Sequence, residues 1–147
     1  MPATSNRTRV SSDLNERVLR EIYLKGFAIA VKEGGASAVM TGYNLVNGVY
    51  TPNSHDLCTK VLRCEWGFDG VVMTDWFSTL KGLADSAAAL AAGNDLMMPG
   101  TKRDKKVIKA ALNSGTLSEI DLRRCCANVM RGIVYSGLAR ELEEKIG

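Results

Sequence analysis

Asp75 is the residue of this chain whose type and position most favour chemistry. It follows the apolar run 70–74, and Trp76 comes directly after it. Because parallel sheets place their active sites at the carboxyl ends of the strands, an acid after such a run would stand where catalysis occurs. The neighbouring indole offers a flat apolar face, which suits the C–H face of a sugar ring. An aspartate that caps the following helix gives the same pattern, so the residues alone leave both interpretations open.

The other reactive side chains do not form a recognisable site. His55 is the only histidine, and its polar surroundings predict a helix-start residue rather than a ligand or base. Cys58 and Cys64 are six positions apart, while Cys125 and Cys126 are adjacent, so neither pair has the spacing of a zinc site. We therefore expect free buried thiols, no metal and no cofactor.

The elements that must position Asp75 are predicted to alternate between helices and strands. The predicted strands are the apolar runs 38–41, 70–74 and 95–98. The predicted helices run from a capping-box pattern at 13–16 to the glycines at 34–35, over 54–65, from Ser78 or Thr79 to Gly93, and onward from the capping boxes at Thr101 and Ser118. Separations of roughly 25 to 35 residues between strands are typical of βαβ units. The class is thus α/β, and the pattern does not distinguish a small open sheet from part of an eight-stranded barrel.

The bulk composition is that of an ordinary globular chain. Of the 147 residues 46% are apolar, and the net charge of +3 is too small to indicate nucleic-acid binding. The basic run 102–106 contains an acid and is predicted to be a solvated helix start, with a phosphate or acidic-partner contact as the alternative. No apolar run reaches the ~20 residues of a membrane helix. Because residues 1–12 lack a signal-peptide core, the chain as given is expected to be cytoplasmic, although an upstream region could carry a signal.

Several common catalytic and nucleotide-binding motifs are absent from the sequence. It contains no Gly-x-Gly-x-x-Gly, no Walker-type glycine–lysine loop and no Gly-x-Ser-x-Gly elbow. Nucleotide binding and esterase chemistry therefore have no positive signal, and a phosphate-binding barrel half is disfavoured.

The residues around Asp75 resemble the nucleophile segment of glycoside hydrolase family 3. That segment reads WGFDGVVMTDW over residues 66–76. Further stretches resemble the family in the same order: Asn6-Arg7, ERVLREIYL at 16–24, VMTGYNLVNG at 39–48 and AGNDLMMPG at 92–100. The resemblance covers roughly residues 6–135. It implies that residues 1–147 are a single region, the C-terminal part of a TIM-type catalytic barrel, with about three βα units and a closing C-terminal helix.

The resemblance also implies roles for three residues. Asp75 would be the nucleophile of a retaining β-glucosidase or β-xylosidase and would form a covalent glycosyl-enzyme. Trp76 would line the pocket of the sugar being cleaved. Tyr43 would bind substrate and donate its hydroxyl to the Asp75 carboxylate, a bond that favours a charged carboxylate.

Departures from the family pattern limit what the chain could do alone. Met97 and Ala28 stand where the family commonly has glutamate, whereas Thr74 keeps the hydroxyl of the usual serine. Glu65 is predicted to form a surface ion pair, so no residue here is assigned as acid/base. The expected partners are a β-linked oligosaccharide or glycoside, the missing barrel half and an acid/base domain.

Two further expectations concern the isolated chain. Its open sheet edges predict self-association. The lack of a second catalytic carboxyl group and of most of the barrel predicts no activity by itself. A non-catalytic carbohydrate-binding or assembly module derived from the same family is the alternative function.

Overall fold

The chain folds as an α/β structure in the computed structural model, which describes residues 6–137, 141, 144 and 145. The strands are β1 Ser11–Ser12, β2 Ala38–Thr41, β3 Leu45–Val46, β4 Val49–Tyr50 and β5 Val71–Thr74. The helices are α1 Glu16–Val18, a π-helix Leu19–Tyr23, α2 Lys25–Lys32, a 3-10 helix Thr51–Asn53, a π-helix Asp56–Glu65, α3 Ser86–Ala92, α4 Lys102–Ser114 and α5 Glu119–Tyr135. The predicted fold class is confirmed.

The sheet that carries Asp75 has β5 at its centre. On one side β2 pairs with β5 in parallel, with Ala38 opposite Val71 and Thr41 opposite Thr74. On the other side the pairing is a single parallel bridge between Met73 and Leu96. The three apolar runs thus lie side by side in chain order, as successive βα units require.

The third predicted strand, 95–98, is wrong in extent because the chain there pairs irregularly with β5. The backbone N–H groups of Asp95 and Leu96 both donate to the Val72 carbonyl, at 2.7 and 3.2 Å. The Asp95 carboxylate in turn accepts the Val72 N–H at 2.9 Å, where a regular ladder would use a backbone carbonyl. A side chain therefore replaces part of the ladder and leaves one bridge.

The turn-rich region after β2 contains a small hairpin that no prediction included. Strands β3 and β4 pair antiparallel around Asn47 and Gly48, both of which have positive φ (50° and 79°). Asn-Gly is the preferred pair for such a two-residue turn. Strand β1 then adds to β3 in parallel, which ties the start of the described chain to this hairpin.

Two helices begin later than predicted. The first is capped by Asn15, whose side chain accepts the Val18 N–H, and not by Asp13. The alanine-rich α3 begins at Ser86 with Asp85 as its N-cap, so a start at Ser78 or Thr79 is wrong. Asp85 is fixed there because its backbone exchanges two hydrogen bonds with the Asn53 side chain, at 2.7 and 3.0 Å.

The remaining helix ends follow local sequence signals. Gly93 ends α3 in the left-handed conformation, as predicted. Thr101 and Asp104 form a full capping box at the start of α4. The Ser118 side chain accepts the Asp121 N–H at the start of α5.

Two apolar clusters stabilise the fold. One lies where α3, α4 and α5 meet, and its buried members are Ala87, Ala89, Leu90, Met97, Ala111, Leu117 and Cys125. The other lies between the sheet and the π-helix Asp56–Glu65 and is formed by Leu62, Phe68 and Val72. Val72 is fully buried, so the strand that precedes Asp75 is anchored from the helix side.

The cysteines and His55 lie as isolated groups. All four cysteines are free, but only Cys58 and Cys125 are buried; Cys64 and Cys126 are exposed, which corrects the expectation of buried thiols. His55 is the residue before the π-helix Asp56–Glu65, as predicted. Within the described ranges, no helix has the length and apolar character needed to cross a membrane.

Candidate active site

Asp75 lies at the carboxyl end of β5 and is half-buried. Its backbone N–H donates to the Thr41 carbonyl at 3.1 Å, which continues the β2–β5 pairing by one residue. Its Oδ1 accepts the backbone N–H of Trp76 at 2.7 Å. The next helix begins only at Ser86, so the interpretation of Asp75 as a helix cap is wrong. The carboxylate instead lies at the edge of the sheet where α/β proteins place catalytic groups.

Two hydrogen bonds join Thr74 and Phe77, on either side of Asp75, to the backbone of Met98 in the last apolar run. The Thr74 hydroxyl accepts the Met98 N–H at 2.9 Å, and the Phe77 N–H donates to the Met98 carbonyl at 2.9 Å. Thr74 is fully buried, so its hydroxyl serves this contact rather than a ligand. Residues on both sides of Asp75 are thereby held by one neighbouring segment.

Tyr43 contacts the turn that follows Asp75. Its hydroxyl donates to the Trp76 carbonyl at 2.6 Å. Desolvation and then the nearby Asp75 carboxylate raise the pKa of Tyr43. The Tyr43 hydroxyl therefore lies close to both the Trp76 carbonyl and the Asp75 carboxylate.

Arg7 adds a positive charge beside Tyr43. Its guanidinium lies over the Tyr43 ring, 4.6 Å from the ring centroid, in a cation–π contact. The guanidinium charge acts against the two effects that raise the pKa of Tyr43. The Asn6-Arg7 pair contributed to the resemblance, but the sequence contained no signal that Arg7 would reach Tyr43.

Two exposed aromatic residues follow Asp75 in the chain. Trp76 is 51% exposed and Phe77 47% exposed. Their ring centroids are 6.0 Å apart and the ring planes are inclined by 59°. The structure thus places Trp76 next to Asp75 as a solvent-facing ring, and it adds Phe77, for which the sequence provided no signal.

A buried polar network supports the strand ends behind the site. The Thr41 hydroxyl donates to Asn94 Oδ1 at 3.2 Å, and Asn94 Nδ2 donates to the Pro52 carbonyl at 2.7 Å. Asn94 is fully buried. It joins the end of β2, the 3-10 helix Thr51–Asn53 and the chain before Leu96, and sequence reasoning did not single it out.

Glu65, the acid nearest to the motif in sequence, is occupied elsewhere. It forms the predicted surface ion pair with Arg20, at 2.6 Å between Arg20 Nη1 and Glu65 Oε2. The hydrogen bond from Arg20 lowers the pKa of Glu65. A general acid needs a raised pKa, so Glu65 is unsuited to that role.

Comparison with known proteins shows which family the chain resembles over most of its length. A family model described as the glycosyl hydrolase family 3 N terminal domain matches residues 2–131. A β-glucosidase from Rhizobium radiobacter is 47% identical over 125 residues, which are 84% of this chain and 15% of that protein. A β-glucosidase from Ruminococcus albus is 43% identical over 150 aligned positions, covering 95% of this chain and 16% of its own length.

A solved structure has the same fold over most of the chain. β-Glucosidase 3B from Thermotoga neapolitana, in complex with glucose, superposes with a TM-score of 0.81 at 43% sequence identity. The superposition covers 88% of this chain and 19% of that one. The chain therefore spans about one sixth to one fifth of the length of these relatives.

Proposed function

This chain belongs to glycosyl hydrolase family 3, and on that premise we propose that it carries the nucleophile of a retaining β-glucosidase or β-xylosidase. The observation that carries the proposal is the position of Asp75, half-buried at the carboxyl end of the central strand and followed directly by the exposed Trp76. Residues 1–147 would form one region, the C-terminal part of a barrel whose fold the Thermotoga enzyme shares. Activity belongs to the completed enzyme.

In the proposed reaction the Asp75 carboxylate attacks the anomeric carbon while an acid on another part of the enzyme protonates the leaving oxygen. Water then releases the sugar from the covalent glycosyl-aspartate, with net retention of configuration. Trp76 presents its ring to the sugar, and Tyr43 fixes the Trp76 backbone by its 2.6 Å hydrogen bond. The substrate class is a β-linked glucoside or xyloside, and the glucose bound to the Thermotoga relative favours the glucoside.

A chimera tests this function directly. In it, this chain replaces the matched segment of the Thermotoga neapolitana β-glucosidase, and the parent enzyme is the positive control. We expect the chimera to hydrolyse aryl β-glucosides, and Asp75→Ala to reduce turnover to background because the covalent intermediate cannot form. Asp69→Ala, which removes an acid in the turn before β5, is the matched control and should remain active.

Chemical rescue separates a lost nucleophile from a lost fold. Azide added to the Asp75→Ala chimera is expected to restore some cleavage and to give a product of inverted configuration, because azide enters from the vacated face. Full activity of Asp75→Ala without azide would show that another group is the nucleophile.

A non-catalytic carbohydrate-binding or assembly module is the second candidate. The loss of two charged positions, at Met97 and Ala28, favours it, and Met97 is indeed buried in the apolar cluster. The same chimera distinguishes the two candidates. A folded chimera that binds glucose but hydrolyses nothing would support the module.

We also propose that the isolated chain associates with itself or with the missing barrel half. β2 pairs with β5 on one edge only, and Met40 on β2 is 53% exposed. The helix side is also open, since Ile22, Tyr23 and Phe27 are between 54% and 66% exposed. Unpaired edges and large apolar patches favour association. Light scattering over a concentration series should show a rising mass, whereas a constant monomer mass at high concentration would contradict this proposal.

A further inference from the structure

We propose that Phe77 selects the leaving group: with Trp76 it forms an apolar corner that favours substrates whose aglycone is aromatic or apolar. The inference rests on the proposed function, because it assumes that Asp75 attacks the sugar. It goes further by assigning substrate preference to a residue that neither the motif nor the resemblance marked.

The backbone of Phe77 is unusual for its residue type. Its φ is 62°, and among the described residues the only other non-glycine with positive φ is Asn47, in the hairpin turn where such a conformation is ordinary. A bulky side chain at positive φ is disfavoured, and such residues concentrate at binding and catalytic sites. The conformation is held by the hydrogen bond from the Phe77 N–H to the Met98 carbonyl, at 2.9 Å.

This conformation keeps the Phe77 ring at the surface instead of in the core. The ring is 47% exposed, two residues after the proposed nucleophile. It is inclined by 59° to the Trp76 ring, with 6.0 Å between centroids. Two exposed rings at this inclination meet at an angle, and a third ring that packs face-on to one of them can meet the other edge-on.

The chemistry of the corner points to the aglycone and not to the sugar. Sugar hydroxyls that leave water need hydrogen-bond partners, and a phenyl ring provides none. Trp76 already offers the sugar one flat face. Phe77 therefore adds apolar surface that suits the group beyond the scissile bond when that group is aromatic or aliphatic.

Two substrates with similar leaving alcohols isolate this effect. The chimera is assayed on 2-phenylethyl β-glucoside and on ethyl β-glucoside, which differ mainly in the apolar ring. We expect Phe77→Ala to reduce the kcat/KM preference for the phenylethyl substrate about five- to tenfold, which corresponds to the loss of one aromatic contact. Phe77→Tyr should keep the preference. Leu80→Ala, which truncates a 43% exposed apolar residue in the same turn region, is the matched control and should leave the ratio unchanged.

A glycine variant separates the ring from the backbone. Phe77→Gly should lose the same preference as Phe77→Ala and be at least as thermally stable, because glycine adopts this φ without strain. Equal loss on both substrates, accompanied by a lower melting temperature, would show a structural role and overturn the inference. An active chimera whose ratio is unchanged in Phe77→Ala would overturn it too. A folded chimera that is inactive on both glucosides, although the Thermotoga parent cleaves them, would instead overturn the proposed function and this inference with it.

Discussion

Arg63 and Asp95 form an ion pair at the amino end of the sheet, with 2.6 Å between Arg63 Nη2 and Asp95 Oδ2. The Asp95 side chain is fully shielded from solvent, and the Arg63 side chain is 13% exposed. Asp95 also accepts the Val72 N–H and the Asn128 amide, each at 2.9 Å. One carboxylate thus links the π-helix Asp56–Glu65, β5 and α5.

Truncation of this buried pair should be costly. We expect Asp95→Ala to lower the free energy of unfolding by about 3–5 kcal/mol, because it leaves the Arg63 charge buried without a partner. Denaturant unfolding at fixed chain concentration measures this. Glu21→Ala is the control: the Arg17–Glu21 pair is exposed, and its loss should cost under about 1 kcal/mol. Equal effects of the two changes would contradict the structural role of Asp95.

Asp104 should make the stability of the protein at the start of α4 sensitive to acid. Burial by itself would raise the pKa of Asp104, but hydrogen bonds from Ser86, Thr101 and Thr79 outweigh it and lower the pKa below its ordinary 3.8. A lowered pKa contributes stability that is present above the unfolded-state value and is lost as pH falls through the folded-state value. Wild type should therefore lose more stability than Asp104→Asn between about pH 5 and pH 2. If the free energy of unfolding falls equally with pH in the two proteins, Asp104 does not make this contribution.

The glycines that end α3 and α4 offer a matched pair for testing packing. Both have positive φ, 117° for Gly93 and 74° for Gly115. A Cβ at Gly93 would lie 2.7 Å from Thr59 Oγ1, whereas one at Gly115 would meet nothing within 4 Å. Gly115→Ala should cost about 1 kcal/mol from backbone strain alone, and Gly93→Ala clearly more, measured by thermal unfolding. If Gly93→Ala loses less stability than Gly115→Ala, the Thr59 side chain moves away from the new Cβ at little cost.

The proximity of Tyr43 to Asp75 can be read from a tyrosine titration. Because the carboxylate raises the pKa of Tyr43 and Arg7 lowers it, Asp75→Asn should lower that pKa and Arg7→Met should raise it further. Tyrosinate absorbance as a function of pH, with the Tyr43→Phe protein subtracted, isolates this residue. The exposed Arg17→Met is the control for loss of a distant charge. If the pKa of Tyr43 is unchanged in Asp75→Asn, the Asp75 carboxylate does not act on the Tyr43 hydroxyl.

The sequence was informative where local chemistry decides structure. The runs that became β5 and β2 each have three apolar residues followed by a threonine, and both are strands. Thr101 and Ser118 cap helices because each side chain reaches an amide three residues later. Such signals need no distant partner.

Prediction failed where distant partners decide. The alanine-rich stretch could have formed a longer helix, but the contact between Asp85 and Asn53 fixes its start. The third strand was lost because the Asp95 side chain occupies a backbone position in the ladder. The hairpin at Asn47-Gly48 is different, since the signal was present and was not used.

In the candidate site, too, some features could be predicted from the sequence and others could not. The structure brings Asp75 and Tyr43 into contact with the Trp76 backbone, and the catalytic roles of these three residues stay predictions. The bond from the Tyr43 hydroxyl to the Trp76 carbonyl was not predicted, because it depends on where that carbonyl points. The left-handed conformation of Phe77 was not predicted either. No residue pattern indicates that a phenylalanine will adopt this conformation.

The two-sided pairing of β5 has a consequence for how the molecule opens. Successive amides of β5 donate to opposite sides: Val71 to Ser37, Val72 to the Asp95 side chain and Thr74 to Leu96. Releasing these amides to solvent requires both neighbouring segments to separate, so hydrogen–deuterium exchange should be slowest here, while β3 and β4 exchange sooner. Asp75 follows directly, and its own amide is held by Thr41. We therefore expect the backbone of Asp75 to stay in place during local fluctuations of the β3–β4 hairpin and to become mobile when the centre of the sheet unfolds.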